Sequence, residues 1–418
     1  MADQELIQSV NPATEQLLAT FEPTTPQAMD EALDKARTAF LGWRDSSFSE
    51  RARVVREAAG YLRKHKSSLA GLVTAEMGKP IVQAEAEVEK CAWNCEFYAD
   101  HAQEFLADEA HPSDVESYVD FVPLGTILAI MPWNFPLWQV FRFTAPALMA
   151  GNTAILKHAS NVPQCALAIE EVFRASGFPD GVFQTFLISG SAVNKLIDDP
   201  RIAAVTLTGS DKAGMHVAEA AGRAVKKAVL ELGGSDPFIV LEDADLGAAV
   251  ETAVRARYQN TGQSCIAAKR FILVESLFDE FQQRFVEAVE KLRVGDPTDR
   301  ATQIGPLARS DLRDIVESQV QHSVSQGAKV LIGGKRLERQ GYFMQPAVLT
   351  NVKPPMPAYC EEVFGPVASL IQVRNAEAAI RVANDSPYGL GANLWTRDLA
   401  RARAIARNGR AMARGSCT

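Results

Sequence analysis

Thr126-Ile127-Leu128-Ala129-Ile130-Met131 is a short apolar run that ends at Pro132, and it opens a series of strand candidates separated by helical segments. The later strand candidates are Thr153–Lys157, Val182–Ile188, Ala203–Thr208, Ala228–Leu230 and Phe238–Leu241. The helices predicted between them include Gln164–Ala175 and Lys212–Ala221. Strands that alternate with helices indicate a largely parallel sheet. The expected fold class is therefore α/β.

A second block of alternating elements follows the first. It includes the helix Leu246–Tyr258 and a strongly amphipathic helix over Leu277–Leu292. A chain of 418 residues is too long for one core, so two or three domains are expected. The boundary is expected just after Glu231, where Gly233-Gly234-Ser235 loosens the chain.

The charge balance and the apolar pattern exclude several classes of partner. There are 43 Lys and Arg against 51 Asp and Glu, and the net charge of −8 argues against nucleic acid. The longest apolar candidate, 119–131, is broken by Asp120 and Pro123, so no membrane span is expected.

No metal site is expected either, because no His or Cys pair accompanies Cys91 and Cys95. Six cysteines do not make a disulfide framework in a chain this long, and the N-terminus lacks a secretory signal, so a cytoplasmic location is predicted.

One cysteine is distinguished by its neighbours. Cys265 closes the stretch Tyr258-Gln259-Asn260-Thr261-Gly262-Gln263-Ser264-Cys265, in which Gly262 frees the backbone. A free cysteine is most often a small buried hydrophobe, and that alternative stays open. The polar flank Gln263-Ser264 would be unusual for a core cysteine, whereas an exposed thiolate is a nucleophile. Cys265 is therefore the candidate nucleophile.

Two other polar residues stand beside apolar runs. Glu231 follows Ala228-Val229-Leu230, and a carboxylate at the end of a buried strand is costly unless it has a partner or a function. It is a candidate general base, with a plain surface acid as the alternative. Asn134 lies in Pro132-Trp133-Asn134-Phe135-Pro136 and can donate its amide to an oxyanion. An ordinary turn asparagine before proline is the alternative there.

A phosphate site can form where a strand gives way to a helix. Thr208-Gly209-Ser210 offers backbone amides and a helix dipole, although a plain helix N-cap fits the pattern equally well. Lys157 ends a predicted strand, where α/β proteins place ligand groups. No Gly-x-Gly-x-x-Gly occurs in the chain, so a conventional dinucleotide fingerprint is absent.

Five motifs, taken in order, resemble the NAD(P)-dependent aldehyde dehydrogenase superfamily. They are Pro132-Trp133-Asn134-Phe135-Pro136, Leu207-Thr208-Gly209-Ser210, Glu231-Leu232-Gly233-Gly234, Gly262-Gln263-Ser264-Cys265 and Glu361-Glu362-Val363-Phe364-Gly365-Pro366. The resemblance implies a variant Rossmann-type cofactor domain, which accounts for the missing glycine fingerprint, and an α/β catalytic domain. Residues 1–114 and 125–231 would form the dinucleotide-binding domain, and 232–418 the catalytic domain. A small β hairpin over 115–124 would mediate homo-oligomerisation.

The resemblance also assigns roles at the site. Cys265 is similar to the nucleophile, Glu231 to the general base, and Asn134 to the oxyanion donor, which acts together with the backbone amide of Cys265. The thiolate would add to an aldehyde, hydride transfer would leave a thioester, and Glu231 would activate the hydrolytic water. The residues implied to bind the cofactor are Trp133, Lys157, Ser160, Thr208, Gly209, Ser210, Leu232, Glu362 and Phe364.

The choice of cofactor is expected to depend on Ser160. NAD-preferring members of the family often carry glutamate at this position, and its charge would repel a 2′-phosphate. Serine removes that charge and can donate a hydrogen bond. NADP is therefore the predicted cofactor, with NAD as a poorer alternative.

The run Gly125–Gln139 resembles the succinate-semialdehyde dehydrogenases among bacterial members of the family, so a small aldehyde of this kind is the expected substrate. Arg142 aligns with an arginine that meets the distal carboxylate of the substrate in related enzymes, and Trp138 would line the same site. Arginine suits bidentate carboxylate binding. Some relatives carry a second arginine where this chain has Gln259, so glutarate semialdehyde or a wider range of aldehydes stays open.

The C-terminal end departs from the family pattern. Residues 408–418 are small and basic without a strand pattern, so the catalytic domain is expected to be truncated. A catalytically impaired remnant is therefore a competing hypothesis. A cysteine hydrolase is a third, although it would need a histidine base and the six histidines occur in no catalytic context.

Overall fold

The computed structural model describes residues 6–408, which form two compact units. The first unit comprises 6–11, Gln16–Glu76 and Ala84–Glu231, and the second comprises Pro12–Glu15, Met77–Gln83 and 232–408. The irregular C-terminal segment predicted beyond residue 408 lies outside the described residues. The same holds for residues 1–5, which belong to the N-terminal segment that was predicted to lack a signal.

The N-terminal part consists of a strand pair followed by helices. The elements are β1 (Ile7–Val10), β2 (Leu17–Phe21), α1 (Pro26–Arg44), α2 (Phe48–Lys64), α3 (Lys66–Met77) and α4 (Ile81–Phe105). Strands β1 and β2 are antiparallel. Helix α2 begins where the Ser47 side chain accepts from the Glu50 backbone and the Glu50 carboxylate accepts from the Ser47 backbone, a reciprocal cap that satisfies two otherwise unpaired donors.

A short exposed hairpin follows α4. It pairs β3 (Glu109–Ala110) with β4 (Tyr118–Val119) in antiparallel fashion. The predicted segment 115–124 therefore contains only one of the two strands, because the other begins nearer the end of α4. Large apolar side chains in this segment are exposed, including Val115 and Val122.

The first unit is built on a five-stranded parallel sheet. Its elements are β5 (Thr126–Met131), α5 (Trp138–Met149), β6 (Thr153–His158), α6 (Pro163–Ala175), β7 (Phe183–Phe186), α7 (Val193–Asp198), β8 (Ile202–Thr208), α8 (Asp211–Arg223) and β9 (Lys227–Glu231). The strand order is β7-β6-β5-β8-β9. The apolar run Thr126–Met131 forms the central strand, where it is almost wholly buried. This arrangement confirms the predicted α/β class with parallel strands.

The expectation that Ala228–Leu230 is a buried strand is wrong. Strand β9 lies at the edge of the sheet, and its one partner strand among residues 6–408 is β8. Val229 is 61% exposed, and Glu231 at the end of the strand is half-buried. A run of apolar residues indicates a strand but does not specify how many neighbours cover it.

The second unit contains a six-stranded mixed sheet. Its elements are β10 (Asp236–Val240), α9 (Leu246–Tyr258), β11 (Ala268–Val274), α10 (Glu275–Glu290), α11 (Ser310–Ser325), β12 (Lys329–Ile332), β13 (Ala347–Thr350), α12 (Pro357–Cys360), β14 (Val367–Val373), α13 (Ala376–Asn384), β15 (Asn393–Trp395) and α14 (Leu399–Asn408). The strand order is β12-β13-β14-β11-β10-β15, and only the β12–β13 pair is antiparallel. Phe281 and Phe285 of α10 pack against Phe271 of β11 in its core. None of the helices over residues 6–408 combines the length and the apolar character that a membrane span requires.

The connection between α9 and β11 has an unusual backbone. Asn260, Thr261 and Gly262 all have positive φ, at 55°, 56° and 73°. Few residues other than glycine adopt this conformation, and threonine rarely does. A Cβ atom at Gly262 would also collide with the carbonyl group of Gly365 and the guanidinium of Arg257. Glycine is therefore required at this position both by φ and by space.

Replacing Gly262 with alanine should lower the free energy of unfolding by more than the roughly 1–2 kcal/mol that a left-handed φ alone costs an alanine. The matched control is Gly177→Ala, because Gly177 has a similar φ of 82° and no atom of the described residues lies within 4 Å of an added Cβ. Chemical denaturation of both variants and the wild type measures the difference. Equal losses in the two variants would contradict the predicted collision.

Candidate active site

Four candidate residues of the first unit lie at one edge of its sheet. Asn134 follows β5, Lys157 is the penultimate residue of β6, Thr208 ends β8 and Glu231 ends β9. These strands are parallel neighbours, so their carboxyl ends share an edge. Ligand sites of open α/β sheets are found at this edge.

The loop that carries Asn134 is held by two side chains from distant parts of the chain. Asn134 is buried, with 4% of its surface exposed. The backbone N–H groups of Leu137 and Trp138 both donate to Oε1 of Glu87, at 2.9 and 3.0 Å. The second side chain is His158, whose Nε2 lies 2.9 Å from the carbonyl oxygen of Pro136. Glu87 and His158 were not predicted to belong to the site.

The tautomer of His158 follows from its two hydrogen bonds. Its Nδ1 accepts from the backbone N–H of Ala159 at 2.8 Å, so Nε2 must carry the proton that is donated to Pro136. Burial lowers the pKa of His158 to about 4, which keeps the ring neutral. Both ring nitrogens are occupied, so His158 positions the loop and does not act as the base of a hydrolase.

Lys157 and Ser160 have the burial and charge expected of residues that bind an anionic ligand. The Lys157 side chain is half-buried, and burial lowers its pKa. No neighbouring charge within residues 6–408 offsets that effect. Ser160 is exposed and carries no charge. A ligand phosphate would supply the missing negative charge at Lys157, so the residues present fit a phosphorylated dinucleotide.

Ser210 caps the N-terminus of helix α8, as the N-cap hypothesis for Thr208-Gly209-Ser210 predicted. Ser210 Oγ accepts from the backbone N–H of Ala213 at 3.3 Å. The backbone N–H of Gly209 donates to the carbonyl of Glu231 at 3.0 Å and ties the ends of β8 and β9 together. A role of Ser210 in binding pyrophosphate stays a prediction.

Glu231 and Arg142 are within reach of each other in the first unit. Nη1 of Arg142 lies 3.6 Å from Oε2 of Glu231, and Nη2 of Arg142 lies 3.4 Å from Oγ1 of Thr208. Both charged side chains line an open cavity together with Tyr98 and Phe105. Arg142, predicted to meet a substrate carboxylate, thus lies beside the candidate base.

A second cation lies beside Trp138, the other predicted substrate residue. Nζ of Lys90 is 3.8 Å from the centre of the Trp138 ring, a cation–π contact. Burial lowers the pKa of Lys90, the charges of Cys91 and Glu87 raise it, and the charge of Arg142 lowers it. Lys90 and Arg142 therefore share this side of the first unit with the carboxylates of Glu87 and Glu231.

The candidate residues of the second unit stand at the opposite end of their strands. Leu232 precedes β10, Cys265 precedes β11, and Glu362 and Phe364 precede β14. Strands β10, β11 and β14 are parallel neighbours in that order, so these residues share the amino edge of the sheet. Cys265 is half-buried in the turn just before β11.

Two buried cations hold the turn that contains Cys265. Arg257 donates to the carbonyl groups of Gly262, Gly365 and Ala268, at 2.7, 2.5 and 3.2 Å. Nζ of Lys269 lies 3.0 Å from the carbonyl oxygen of Ser264, 2.9 Å from that of Cys265 and 3.2 Å from that of Ala267.

Lys269 also pairs with a predicted cofactor residue. Its Nζ lies 3.5 Å from Oε1 of Glu362, which in turn accepts from the backbone N–H of Gly234 at 3.1 Å. Burial lowers the pKa of Lys269 to about 8, and the charge of Glu362 opposes that shift. Burial lowers the pKa of Arg257 to about 10. Neither cation was predicted from the sequence, although Lys269, a charged residue in the largely apolar strand β11, is a detectable signal.

Comparison with known proteins defines the class of this chain. The aldehyde dehydrogenase family model matches residues 1–413. The chain belongs to the aldehyde dehydrogenase family.

Relatives in two bacteria and one solved structure are similar over nearly the whole chain. A probable NADP(+) succinate-semialdehyde dehydrogenase of Synechocystis is 53% identical over 391 residues, which cover 93% of this chain and 86% of the relative. NADP(+) succinate-semialdehyde dehydrogenase 1 of Mycobacterium tuberculosis is 50% identical over 398 residues, covering 94% and 87%. The crystal structure of succinic semialdehyde dehydrogenase from Streptococcus pyogenes with NADP+ superposes with a TM-score of 0.94 at 35% identity, covering 96% and 89%.

Replacing Glu87 with alanine should destabilise the first unit, because the N–H groups of Leu137 and Trp138 lose their acceptor. Each buried donor left without an acceptor costs about 1–3 kcal/mol. Glu87→Gln is the matched control, since it keeps an acceptor oxygen and should lose much less stability. Thermal and chemical unfolding measure both variants. If alanine is tolerated as well as glutamine, the proposed support of the Asn134 loop is wrong.

Proposed function

We propose that this aldehyde dehydrogenase oxidises succinate semialdehyde to succinate and reduces NADP+. Similarity to NADP(+) succinate-semialdehyde dehydrogenases at 50–53% identity supports this activity. The observation that carries the choice of substrate is the guanidinium of Arg142, 3.6 Å from the candidate base. A semialdehyde with a second carboxylate would place its negative charge on that cation. Glutarate semialdehyde shares this chemistry and stays the alternative.

The proposed mechanism assigns a step to each candidate residue. The thiolate of Cys265 adds to the aldehyde carbon, and the side-chain amide of Asn134 and the backbone N–H of Cys265 donate to the oxyanion. Bound NADP+ would supply the hydride acceptor. Cys265 then holds a thioester, and Glu231 removes a proton from the water that attacks it. The C–S bond breaks, succinate leaves and the thiolate is restored.

The proposed roles in cofactor binding follow the motifs in which the residues stand. Lys157 and Ser160 would bind the adenosine ribose and its 2′-phosphate, and Ser210 would bind the pyrophosphate with the amides of the Thr208-Gly209 segment. Glu362 and Phe364 would bind the nicotinamide ribose. Trp133 and Leu232 would complete the lining. The absence of a carboxylate at Ser160 supports NADP over NAD.

The pairing of Arg142 with Glu231 suggests how the substrate prepares the base. The two side chains are close enough for their opposite charges to attract each other. A carboxylate of the substrate would compete for Arg142 and leave Glu231 available to water. Lys90 and Trp138 would border the same end of the substrate.

Self-association and a cytoplasmic location are also proposed. The exposed apolar side chains of segment 115–124, among them Val115 and Val122, support a role of this hairpin in homo-oligomer contacts. None of the described cysteines, which are Cys91, Cys95, Cys165, Cys265 and Cys360, is joined to another in a disulfide. Cysteines of this number without disulfides are typical of a reducing compartment.

The purified chain should reduce NADP+ when succinate semialdehyde is added, and Arg142→Met should raise KM for this substrate roughly 10- to 100-fold through loss of a charge-assisted contact. Butanal, which has the same carbon chain without the carboxylate, is the control and its KM should change little. Initial rates of NADPH formation measure both. No NADP+ reduction by the folded wild type, or equal effects on the two aldehydes, would contradict the proposal.

Introducing a carboxylate at Ser160 should reverse the cofactor preference. The Ser160→Glu variant should lose about tenfold or more of kcat/KM for NADP+ relative to NAD+, because the carboxylate repels the 2′-phosphate; tenfold corresponds to about 1.4 kcal/mol. Ser160→Ala removes only the hydroxyl and should change the ratio far less. Steady-state kinetics with each dinucleotide measure the ratio. An unchanged ratio in the glutamate variant would refute the assignment of Ser160.

A further inference from the structure

Lys269 is the buried charged group that lies nearest the candidate nucleophile in the described chain and has no role in the mechanism above. Only 3% of its side chain is exposed, although it is an ammonium group. Burial of such a group is costly unless its donors are all used. Its hydrogen bonds go to three carbonyl groups of one turn, those of Ser264, Cys265 and Ala267.

The bond to Ser264 bears directly on the backbone amide of Cys265. The carbonyl of Ser264 and the N–H of Cys265 belong to the same peptide unit, which is planar and trans. Nζ of Lys269 lies 3.0 Å from that carbonyl oxygen, which also accepts from the backbone N–H of Ala267 at 3.2 Å, and the N–H of Cys265 points in the opposite direction. The cation also polarises the peptide, and a polarised amide is a stronger donor.

We propose that Lys269 is a positioning residue for the oxyanion: it fixes and polarises the Ser264–Cys265 peptide so that the N–H of Cys265 donates to the oxygen of the substrate. This inference rests on the proposed function, in which Cys265 is the nucleophile and its amide is an oxyanion donor. The same ammonium group lies 3.5 Å from Oε1 of Glu362, the proposed ribose ligand. Lys269 therefore contacts both the turn that carries the candidate nucleophile and Glu362, a proposed cofactor ligand.

A purely structural role has to be separated from this one. Lys269 also satisfies the carbonyls of Cys265 and Ala267, and removing it would disturb the turn. A disturbed turn would slow every reaction of the thiol. A weakened oxyanion donor would slow only those reactions in which negative charge develops on a carbonyl oxygen.

Two cofactor-free reactions of Cys265 make this distinction. With p-nitrophenyl acetate, the thiolate forms a C–S bond to the acyl carbon through an oxyanion, and p-nitrophenolate leaves with the electron pair of the broken C–O bond. With iodoacetamide, the thiolate displaces iodide and no oxyanion forms. Both rates depend on the same thiolate fraction. The ratio of the acylation rate to the alkylation rate at one pH therefore measures how well the oxyanion is stabilised.

The experiment compares the wild type with Lys269→Met and Lys269→Arg. Lys269→Met should lower the ratio of acylation to alkylation about tenfold or more, since losing a whole oxyanion donor costs about 10²–10³. Lys269→Arg keeps a cation and should retain most of the ratio. An unchanged ratio in a folded Lys269→Met variant, verified by circular dichroism, would overturn the proposal.

The pH dependence gives a second readout if the methionine variant fails to fold. The charged and titratable groups that face Lys269 are Glu362, Arg257, Asp236 and Cys265. The pKa of Lys269 is about 8, so the wild-type ratio should fall as pH rises through that value, and in Lys269→Arg the fall should move to higher pH. A wild-type ratio with the same pH dependence as that of Lys269→Arg would overturn the proposal.

Failure of the proposed function has a different signature. If p-nitrophenyl acetate does not acylate wild-type Cys265, or if Cys265→Ala reacts as fast as the wild type, then Cys265 is not the nucleophile and the inference about Lys269 fails with it. If Cys265 is acylated normally and only the Lys269 variants behave unexpectedly, the nucleophile assignment stands and the positioning role alone is refuted.

Discussion

The turn before strand β11 depends on two buried cations. Arg257 and Lys269 together bind the carbonyl groups of Gly262, Ser264, Cys265, Ala267 and Ala268. A turn with positive φ at three successive residues cannot satisfy its carbonyls as a regular helix or strand does. Local backbone bonds, such as that from Ala267 N–H to the Ser264 carbonyl, supply part of what is needed, and the two cations supply the rest. The irregular backbone that presents Cys265 is therefore stabilised by charge–dipole contacts from within the same unit.

The two units present their candidate residues at different ends of their parallel strands. In the first unit the residues follow strands, as Asn134 follows β5 and Glu231 ends β9. In the second unit they precede strands, as Cys265 precedes β11 and Glu362 precedes β14. Each edge brings residues together that are far apart in the sequence, because neighbouring parallel strands align their ends.

Much of the fold could be predicted from the sequence because local pattern specifies it. The strand Thr126–Met131 and the helix Leu246–Tyr258 have the predicted bounds, and the amphipathic helix over Leu277–Leu292 is present as Glu275–Glu290. The burial of β9 was predicted wrongly, since an apolar run does not report whether one or two strands flank it. The position of an edge is a property of the assembled sheet.

Part of the candidate site could also be predicted from the sequence, and part of it could not. Motif residues such as Asn134 and Glu231 could be found because their types and spacing match a known chemistry. The supports around them could not, because Glu87 is separated from Leu137 by 50 residues and the two meet only through the fold. Lys269 was detectable in principle, as a charge inside an apolar strand, but its partners are backbone carbonyls, which leave no trace in side-chain identity.

The central claim is that Cys265 carries the acyl group of the oxidised aldehyde and that Glu231 is needed to release it. The most direct measurement mixes a Glu231→Gln variant with succinate semialdehyde and NADP+, quenches with acid and maps the acylated peptide by mass spectrometry. The account predicts that a succinyl thioester accumulates on Cys265. A folded variant that reduces NADP+ and leaves Cys265 unmodified would contradict it.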